Sequence, residues 1–233
     1  MTDSPTVVLV PGGFHGSWVW NPLIERLNAE GLGTATIDLP SLGSVGDELP
    51  GLTADAEALS ALLDSIPGEK VVLAHSYGGA VMTAATGGRS DIRHIIYAAA
   101  FAPDSGENVF QVYEPAPKWM GPSEDGQYVE IRADADVIAT FYSHVDPKVA
   151  SEAEAQISPV HGIGVVVEPV VEAGWRTIPS TYVISTDDKA VDPELQRRFA
   201  SDMTTTIELD TDHSPMLSRT SELADIVIST VRS

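Results

Sequence analysis

The sequence has 233 residues, 43% of them hydrophobic, which fits one domain of α/β size (residues 1–233) with a full core. Its 34 acidic side chains outnumber 13 basic ones, and the formal net charge of −21 argues against binding to nucleic-acid phosphates. The absence of cysteine excludes disulfides, thiolate metal ligands and a cysteine nucleophile. A secretion signal and a long apolar segment are also missing, so we expect a cytoplasmic protein that does not enter a membrane.

Short apolar or β-branched runs alternate with helical patterns along the chain. The runs predict strands at residues 6–10, 34–38, 70–74, 92–98, 180–185 and 204–209. Helical spacing of apolar residues predicts helices at 18–30, 52–66, 78–86 and 193–200, and a last helix that contains 223–231. This alternation predicts an α/β fold, with a mostly parallel sheet of about six strands flanked by helices.

The alternation is interrupted between residues 102 and 176. The first part of this segment is rich in proline, glycine and acidic residues, and short helical patterns follow at 135–144 and 147–157. Since a long segment of this kind inside a compact domain is usually functional, we expect a helical cap insertion over the sheet edge. Some of its larger side chains are expected either to line a pocket or to pack the cap onto the sheet. These are Tyr113, Trp119, Met120, Phe141, Tyr142 and His144.

The segment AHSYGG joins the third predicted strand to the next helix. Small residues, Ala74 and Gly78, stand two positions on either side of Ser76, which is the nucleophile-elbow pattern G-x-S-x-G with alanine in the first place. A sharp bend from strand to helix crowds these neighbours, so they must be small. Such a bend presents the Ser76 hydroxyl above the carboxyl ends of the strands and directs the Tyr77 amide to the same place.

A serine hydroxyl needs a base, and the base needs an orienting acid. His213 lies between the last predicted strand and the last helix, at the same sheet edge as Ser76, and is the predicted base. The acid follows the fifth predicted strand. Asp187 and Asp188 are candidates, of which we favour Asp188, whereas Asp192 is better explained as a helix N-cap. The chain order serine, aspartate, histidine is that of the α/β-hydrolase fold.

The segment VPGGFHGSWVW after the first strand exposes backbone at this edge. Gly12 and Gly13 allow the chain to approach a ligand closely, because they lack side chains. We predict that the Gly13 and Tyr77 amides form an oxyanion hole. The Phe14 amide is the alternative to Gly13, and the Phe14 side chain is a predicted pocket residue. His15 is expected to brace the loop.

The chain resembles the α/β-hydrolases in four segments: GGFHGSWVW, AHSYGG, TDDKAVDPELQRRF and DHSPMLS. Among these enzymes it is most similar to the branch of plant methyl-salicylate-type esterases, hydroxynitrile lyases and small bacterial esterases. The resemblance runs from residue 12 to 218, apart from the cap. It implies a cofactor-free enzyme with its pocket under a helical cap, and it identifies the aspartate directly before the lysine, Asp188, as the acid. The chain departs from the lyases at Ser214, where they carry lysine, and at Gly12, where they carry threonine.

Together, these features predict a serine hydrolase that cleaves a small, largely apolar carboxylic ester or lactone through an acyl-enzyme. The alternatives on the same scaffold are a cofactor-free lyase, an acyltransferase and a ligand receptor. The lyase is disfavoured because no lysine is present to stabilise departing cyanide. No metal site is indicated, no cofactor is expected, and the expected partner is the small-molecule substrate; the sequence leaves the oligomeric state open.

Overall fold

The computed structural model describes residues 4–113 and 115–233; residues 1–3 of the predicted domain and residue 114 of the predicted cap lie outside this description. In the described residues the strands are β1 (Thr6–Val10), β2 (Thr34–Thr36), β3 (Leu42–Gly43), β4 (Lys70–His75), β5 (Ile92–Ala98), β6 (Met120–Pro122), β7 (Tyr128–Ile131), β8 (Val160–Gly162), β9 (Ser180–Ser185) and β10 (Thr205–Leu209). The helices are α1 (Asn21–Ala29), α2 (Leu52–Ser65), α3 (Gly78–Thr86), α4 (Val109–Val112), α5 (Val137–Phe141), α6 (Pro147–Glu154), α7 (Gly164–Val167), α8 (Pro193–Ala200), α9 (Pro215–Ser218) and α10 (Thr220–Arg232).

A six-stranded parallel sheet forms the centre of the molecule, in the order β10-β9-β5-β4-β1-β2. Each of its strands overlaps one predicted strand, so the predicted α/β sheet flanked by helices is confirmed. Because the strands are parallel, their carboxyl ends lie along one edge. The loops that follow β1, β4, β9 and β10 therefore start from the same edge of the sheet.

The side chains of the central strands alternate between two hydrophobic cores, one on each face of the sheet. In β1, Val8 and Val10 pack with the core that contains α2 and α3, whereas Val7 and Leu9 pack with the core that contains α1 and α10. All four side chains are fully buried. The β1 segment TVVLV is a continuous apolar run because both faces of this strand are covered.

The helix predicted at 18–30 is divided in the structure. Ser17–Trp20 form a 3-10 turn, and α1 begins at Asn21 with Pro22 in its first turn. Proline suits this position, because the amides of a first turn have no acceptor within the helix. Helix α2 ends one residue earlier than predicted, and α3 and α8 have the predicted bounds. No helix in the described residues is both long enough and apolar enough to cross a bilayer.

The segment 102–176 is a mixed insertion and not a purely helical cap. Besides α4–α7 it contributes β6, β7 and β8, which form an antiparallel sheet with β3 in the order β3-β8-β7-β6. These strands have two to four residues, too few for the alternating pattern that identifies a strand from sequence. The two predicted helical pieces are present as α5 and α6, which begin after the N-caps Asp136 and Asp146.

Candidate active site

Ser76 occupies the bend between β4 and α3. Its φ of 50° lies in the left-handed region, which residues other than glycine rarely adopt. A Cβ atom on Gly78 would lie 2.4 Å from the carbonyl oxygen of Pro11, and Ala74 is fully buried. The crowding expected from the sequence pattern is therefore present. The amide of Phe101 donates to the Ser76 carbonyl oxygen at 3.0 Å and holds the bend on its other side.

His213 and Asp188 form a buried pair at the same sheet edge. His213 Nδ1 lies 2.8 Å from Asp188 Oδ2, and the two residues are 1% and 4% exposed. The carboxylate also accepts hydrogen bonds from the amides of Ala190 (2.7 Å) and Val191 (2.9 Å) and from Gln196 Nε2 (2.8 Å). A carboxylate oxygen can only accept a hydrogen bond, so Nδ1 of His213 must carry the proton. Nε2 of the same ring then keeps the lone pair that a general base needs.

The other two candidate aspartates have different partners. Asp187 is half-buried and is paired with Lys189 and with a histidine of the cap; these hydrogen bonds, Lys189 first, lower the pKa of the carboxyl. Asp192 accepts a backbone hydrogen bond in the first turn of α8 and is its N-cap, as predicted. Of the three aspartates, Asp188 is the one that contacts His213. Within residues 4–113 and 115–233, no group of three or more His, Asp or Glu side chains is placed to hold a metal ion.

His75, next to Ser76, contacts the backbone of the predicted base. Its Nε2 donates to the His213 carbonyl oxygen at 2.7 Å, and the two ring centroids are 4.5 Å apart. Burial, reinforced by the nearby His213, lowers the pKa of His75 well below its ordinary value. A neutral His75 therefore adds no positive charge beside His213. No local pattern indicates this contact, because it joins residues 138 positions apart.

His15 braces the loop after β1, as predicted. Its Nδ1 donates to the Gly13 carbonyl oxygen at 2.7 Å, and its Nε2 accepts from the Tyr142 hydroxyl at 2.7 Å. Burial, which is its largest influence, lowers the pKa of His15 to about 4. The neutral ring can thus donate on one side and accept on the other. The hydrogen bond from Tyr142 therefore connects the cap to this loop.

The amide of Phe14 is occupied by a side chain of the cap. It donates to His161 Nε2 at 2.7 Å, while Phe14 itself has a φ of 64°. In the described part of the chain, the amides of Gly13 and Tyr77 have no hydrogen-bonded acceptor. Of the two donors that the sequence left open, the geometry favours Gly13 over Phe14.

A narrow chamber of about 40 Å³ lies between the sheet edge and the cap, and its wall includes Gly13, Ser76 and Tyr77. Most of the predicted pocket residues line it: Phe14, Tyr113, Trp119, Met120 and Phe141. The lining is almost entirely apolar or aromatic, which suits an uncharged ligand.

Two predicted pocket residues, Tyr142 and His144, lie outside the chamber. The Tyr142 hydroxyl is bound to His15. The His144 ring contacts Asp187 at 2.9 Å, and its amide donates to Asp212 Oδ2 at 2.8 Å. Both residues connect the cap to loops of the sheet edge, and this use of their polar atoms directs them away from the chamber.

An outer apolar groove of about 410 Å³ continues from the chamber. It shares with the chamber wall the residues Val109, Tyr113, Met120, Val129 and Val166. Its rim includes Phe110 and Val167, which are 64% and 50% exposed. Exposed apolar side chains grouped beside a cavity are typical of a binding surface.

Comparison with known proteins identifies relatives along the whole chain. The alpha/beta hydrolase nvfD of Aspergillus novofumigatus is 29% identical over 245 residues, covering 98% of this chain and 95% of that protein. Methylesterase 1 of Arabidopsis thaliana is 27% identical over 251 residues, covering 94% and 92%. The crystal structure of a pyrethroid hydrolase from Sphingobium faniae has a TM-score of 0.84 to this chain at 16% identity and covers 98% of both chains.

These findings confirm the resemblance to α/β-hydrolases that the sequence motifs indicated, and they place methylesterases among the relatives. The match to the family description, "Alpha/beta hydrolase family", extends over residues 7–226. This range includes the bend at Ser76, the His213–Asp188 pair and the insertion. The chain therefore belongs to the alpha/beta hydrolase family.

Proposed function

We propose that this protein is a serine hydrolase that cleaves a small, largely apolar carboxylic ester. The observation that carries the proposal is the buried His213–Asp188 pair at the sheet edge where Ser76 occupies a bend of positive φ. Gly13 and Tyr77, whose amides have no hydrogen-bonded acceptor in the described residues, line the same chamber as Ser76. The site thus contains a nucleophile, an oriented base and oxyanion donors, the set that acyl transfer requires.

In the proposed mechanism, Ser76 Oγ attacks the ester carbonyl carbon while His213 Nε2 takes the hydroxyl proton. The carbonyl electron pair becomes an oxyanion that accepts hydrogen bonds from the Gly13 and Tyr77 amides. Asp188 stabilises the imidazolium through Nδ1. The alcohol leaves with the proton from His213, and a water molecule activated by the same base then releases the carboxylic acid.

The character of the cavity supports an uncharged substrate. The chamber next to Ser76 is narrow and apolar, so it suits a small group, while the outer groove offers room for a larger apolar group. Methylesterase 1 is an ester hydrolase by name, which supports the same substrate class. A lactone is a cyclic ester and would undergo the same attack, with the alcohol kept in the product.

Replacing the nucleophile tests the proposal. Ser76→Ala should lower kcat/KM for p-nitrophenyl acetate by about 1,000-fold or more, because the remaining groups cannot form an acyl-enzyme. A fluorophosphonate label should attach to the wild-type protein and not to Ser76→Ala. Product analysis with added alcohols separates hydrolysis from acyl transfer to another acceptor.

Ser60→Ala is the matched control, since Ser60 lies on α2 outside the chamber and makes a weak hydrogen bond of 3.4 Å. This variant should keep wild-type turnover and labelling. Wild-type turnover in Ser76→Ala, with an unchanged circular dichroism spectrum, would overturn the proposal.

A further inference from the structure

A buried carboxylate, Asp55, lies beneath the bend that carries Ser76. It belongs to the first turn of α2 and is fully buried. Its Oδ1 accepts from the Ser41 amide at 2.9 Å, and its Oδ2 accepts from the Ser41 hydroxyl at 2.6 Å and from the Tyr77 hydroxyl at 2.7 Å. All three bonds use the carboxylate as acceptor, so the ionised form suits this site.

The same chain of hydrogen bonds continues to the loop after β1 through His161, which is 1% exposed. His161 Nε2 accepts from the Phe14 amide at 2.7 Å, and Nδ1 lies 2.9 Å from the Ser41 hydroxyl oxygen. Because an amide can only donate, Nε2 carries the lone pair and Nδ1 carries the proton. Nδ1 therefore donates to Ser41, whose own proton goes to Asp55. Burial lowers the pKa of His161 to about 3, which keeps this neutral form at neutral pH.

The two ends of this network reach the two backbone segments that supply the proposed oxyanion donors. One end holds Tyr77, whose own amide is a donor. The other end holds the amide of Phe14, the residue that follows Gly13. The rings of Phe14 and Tyr77 also contact the His161 ring edge-on, with centroids 5.3 and 5.6 Å away.

We propose that Asp55, Ser41, His161 and Tyr77 form a positioning network that sets the spacing of the Gly13 and Tyr77 amides. This inference rests on the proposed function. A buried carboxylate carries a desolvation penalty, so an apolar cluster would stabilise the fold at least as well. What an apolar cluster cannot do is bind the Phe14 amide and hold this residue at a φ of 64°. The Phe14 bond also prevents its amide from competing with Gly13.

Tyr77→Phe is the first test, because it removes the hydroxyl that binds Asp55 and keeps the aromatic ring. An error of about 1 Å in a donor can cost on the order of 100-fold in rate. We expect kcat for p-nitrophenyl acetate to fall about tenfold or more, with KM changed less than about twofold, since the hole binds the oxyanion more strongly than the ester carbonyl.

A trifluoromethyl ketone gives a second readout. Ser76 Oγ adds to its carbonyl carbon, His213 takes the proton, and the resulting oxyanion occupies the same hole. Its affinity should fall in Tyr77→Phe by about the same factor as kcat/KM, as expected for a transition-state mimic.

Two substitutions of His161 test the network at one position, one that should lower kcat and one that should restore it. His161→Leu removes the acceptor of the Phe14 amide and should also lower kcat about tenfold or more. His161→Gln places an amide oxygen near the position of Nε2 and an N–H group toward Ser41. It should recover most of the lost kcat and ketone affinity.

Tyr97→Phe is the matched control, because it removes a buried hydroxyl that bonds Thr83 at 2.8 Å, outside the network. It should lower the melting temperature without changing kcat or ketone affinity. If Tyr77→Phe behaves like this control, the network is only structural and the inference is overturned; this variant decides the matter even if His161→Leu fails to fold. If wild-type turnover does not depend on Ser76, the proposed function itself fails, which Ser76→Ala reveals in the same assay.

Discussion

Asp187 and Asp188 are neighbours in the chain, yet their carboxylates face different surroundings. Asp188 accepts four hydrogen bonds, from two amides, from Gln196 and from His213. Asp187 is half-buried and is paired with Lys189. Because successive residues in a turn point in different directions, one position decides which carboxylate reaches the imidazole. At the scale of single residues, the site therefore depends on this orientation.

We predict that Asp188→Asn lowers kcat/KM for p-nitrophenyl acetate by about 1,000-fold to 10,000-fold. The asparagine oxygen is expected to keep the bonds from the Ala190 and Val191 amides, which places its NH2 group toward His213. The imidazole then has to accept at Nδ1, so its proton moves to Nε2 and it can no longer act as the base. Circular dichroism should show an intact fold.

Asp187→Asn is the control at the adjacent position. It removes an exposed ion pair, and such pairs contribute about 0–1 kcal/mol, so activity should stay within about twofold of wild type. The opposite result, an active Asp188→Asn and an inactive Asp187→Asn, would assign the acid to Asp187.

At the scale of elements, the position of Ser76 depends on how closely α3 approaches β1 and β5. A Cβ atom on Gly79 would lie 2.3 Å from the Phe101 carbonyl oxygen and 2.8 Å from the Ala100 Cβ. Gly78 is equally close to the carbonyl oxygen of Pro11. The first turn of α3 therefore packs backbone against backbone, which brings the Tyr77 amide and Ser76 close to the loop after β1.

We predict that Gly79→Ala lowers the free energy of unfolding by about 1–3 kcal/mol, because the Phe101 carbonyl is backbone and the Ala100 Cβ is attached directly to the backbone, so the clash is relieved only if α3 moves. The same shift should lower kcat, since the bend moves with the helix. Urea unfolding and ester hydrolysis measure the two effects.

Gly33→Ala is the corresponding control. Its added Cβ would have Thr6 Oγ1 at 3.8 Å as its nearest contact, which is ordinary van der Waals distance. Both stability and kcat should stay near wild type. Equal stability of Gly79→Ala and Gly33→Ala would contradict this account of the bend.

At the scale of the whole molecule, an acidic surface surrounds a site in which three histidines are fully buried in addition to His213. The net charge is −21, whereas His15, His75 and His161 are each at most 1% exposed. Burial is the largest cause of the lowered pKa of each ring, to about 4 for His15, about 3 for His161 and well below the ordinary value for His75. All three are neutral in the folded protein at neutral pH.

These histidines predict a loss of stability in mild acid. In the unfolded chain a histidine has a pKa of about 6.5, so below that pH the unfolded state binds more protons than the folded state. Stability is therefore fully present above about pH 6.5 and falls as the pH decreases toward the folded pKa values. Each histidine contributes up to about 1.4 kcal/mol per pH unit. Asp55 acts in the opposite direction, because burial raises the pKa of its carboxyl and the folded state then binds more protons than the unfolded state between the two pKa values.

Urea unfolding at pH 7, 6 and 5 measures this dependence, and the slope gives the number of protons taken up on unfolding. In His161→Gln the slope should decrease by about one proton. An unfolding free energy that stays constant between pH 7 and pH 5 would contradict the prediction.

The features that the sequence by itself determined depend on neighbours in the chain. The alternation of strands and helices, the small residues around Ser76 and the N-cap Asp192 were all readable, because steric crowding and capping act over a few residues. The parallel sheet followed from this alternation. A parallel sheet has all its carboxyl ends along one edge, so the sequence also predicted that the loops after β4, β9 and β10 lie together at that edge.

Only the tertiary structure decided between alternatives that are alike in local sequence. It paired His213 with Asp188, it occupied the Phe14 amide with His161, and it gave the insertion a small antiparallel sheet. The Phe14–His161 contact joins residues 147 positions apart. Hydrogen bonds of this range depend on how separate elements pack, and packing leaves no periodic pattern in the chain from which they can be predicted.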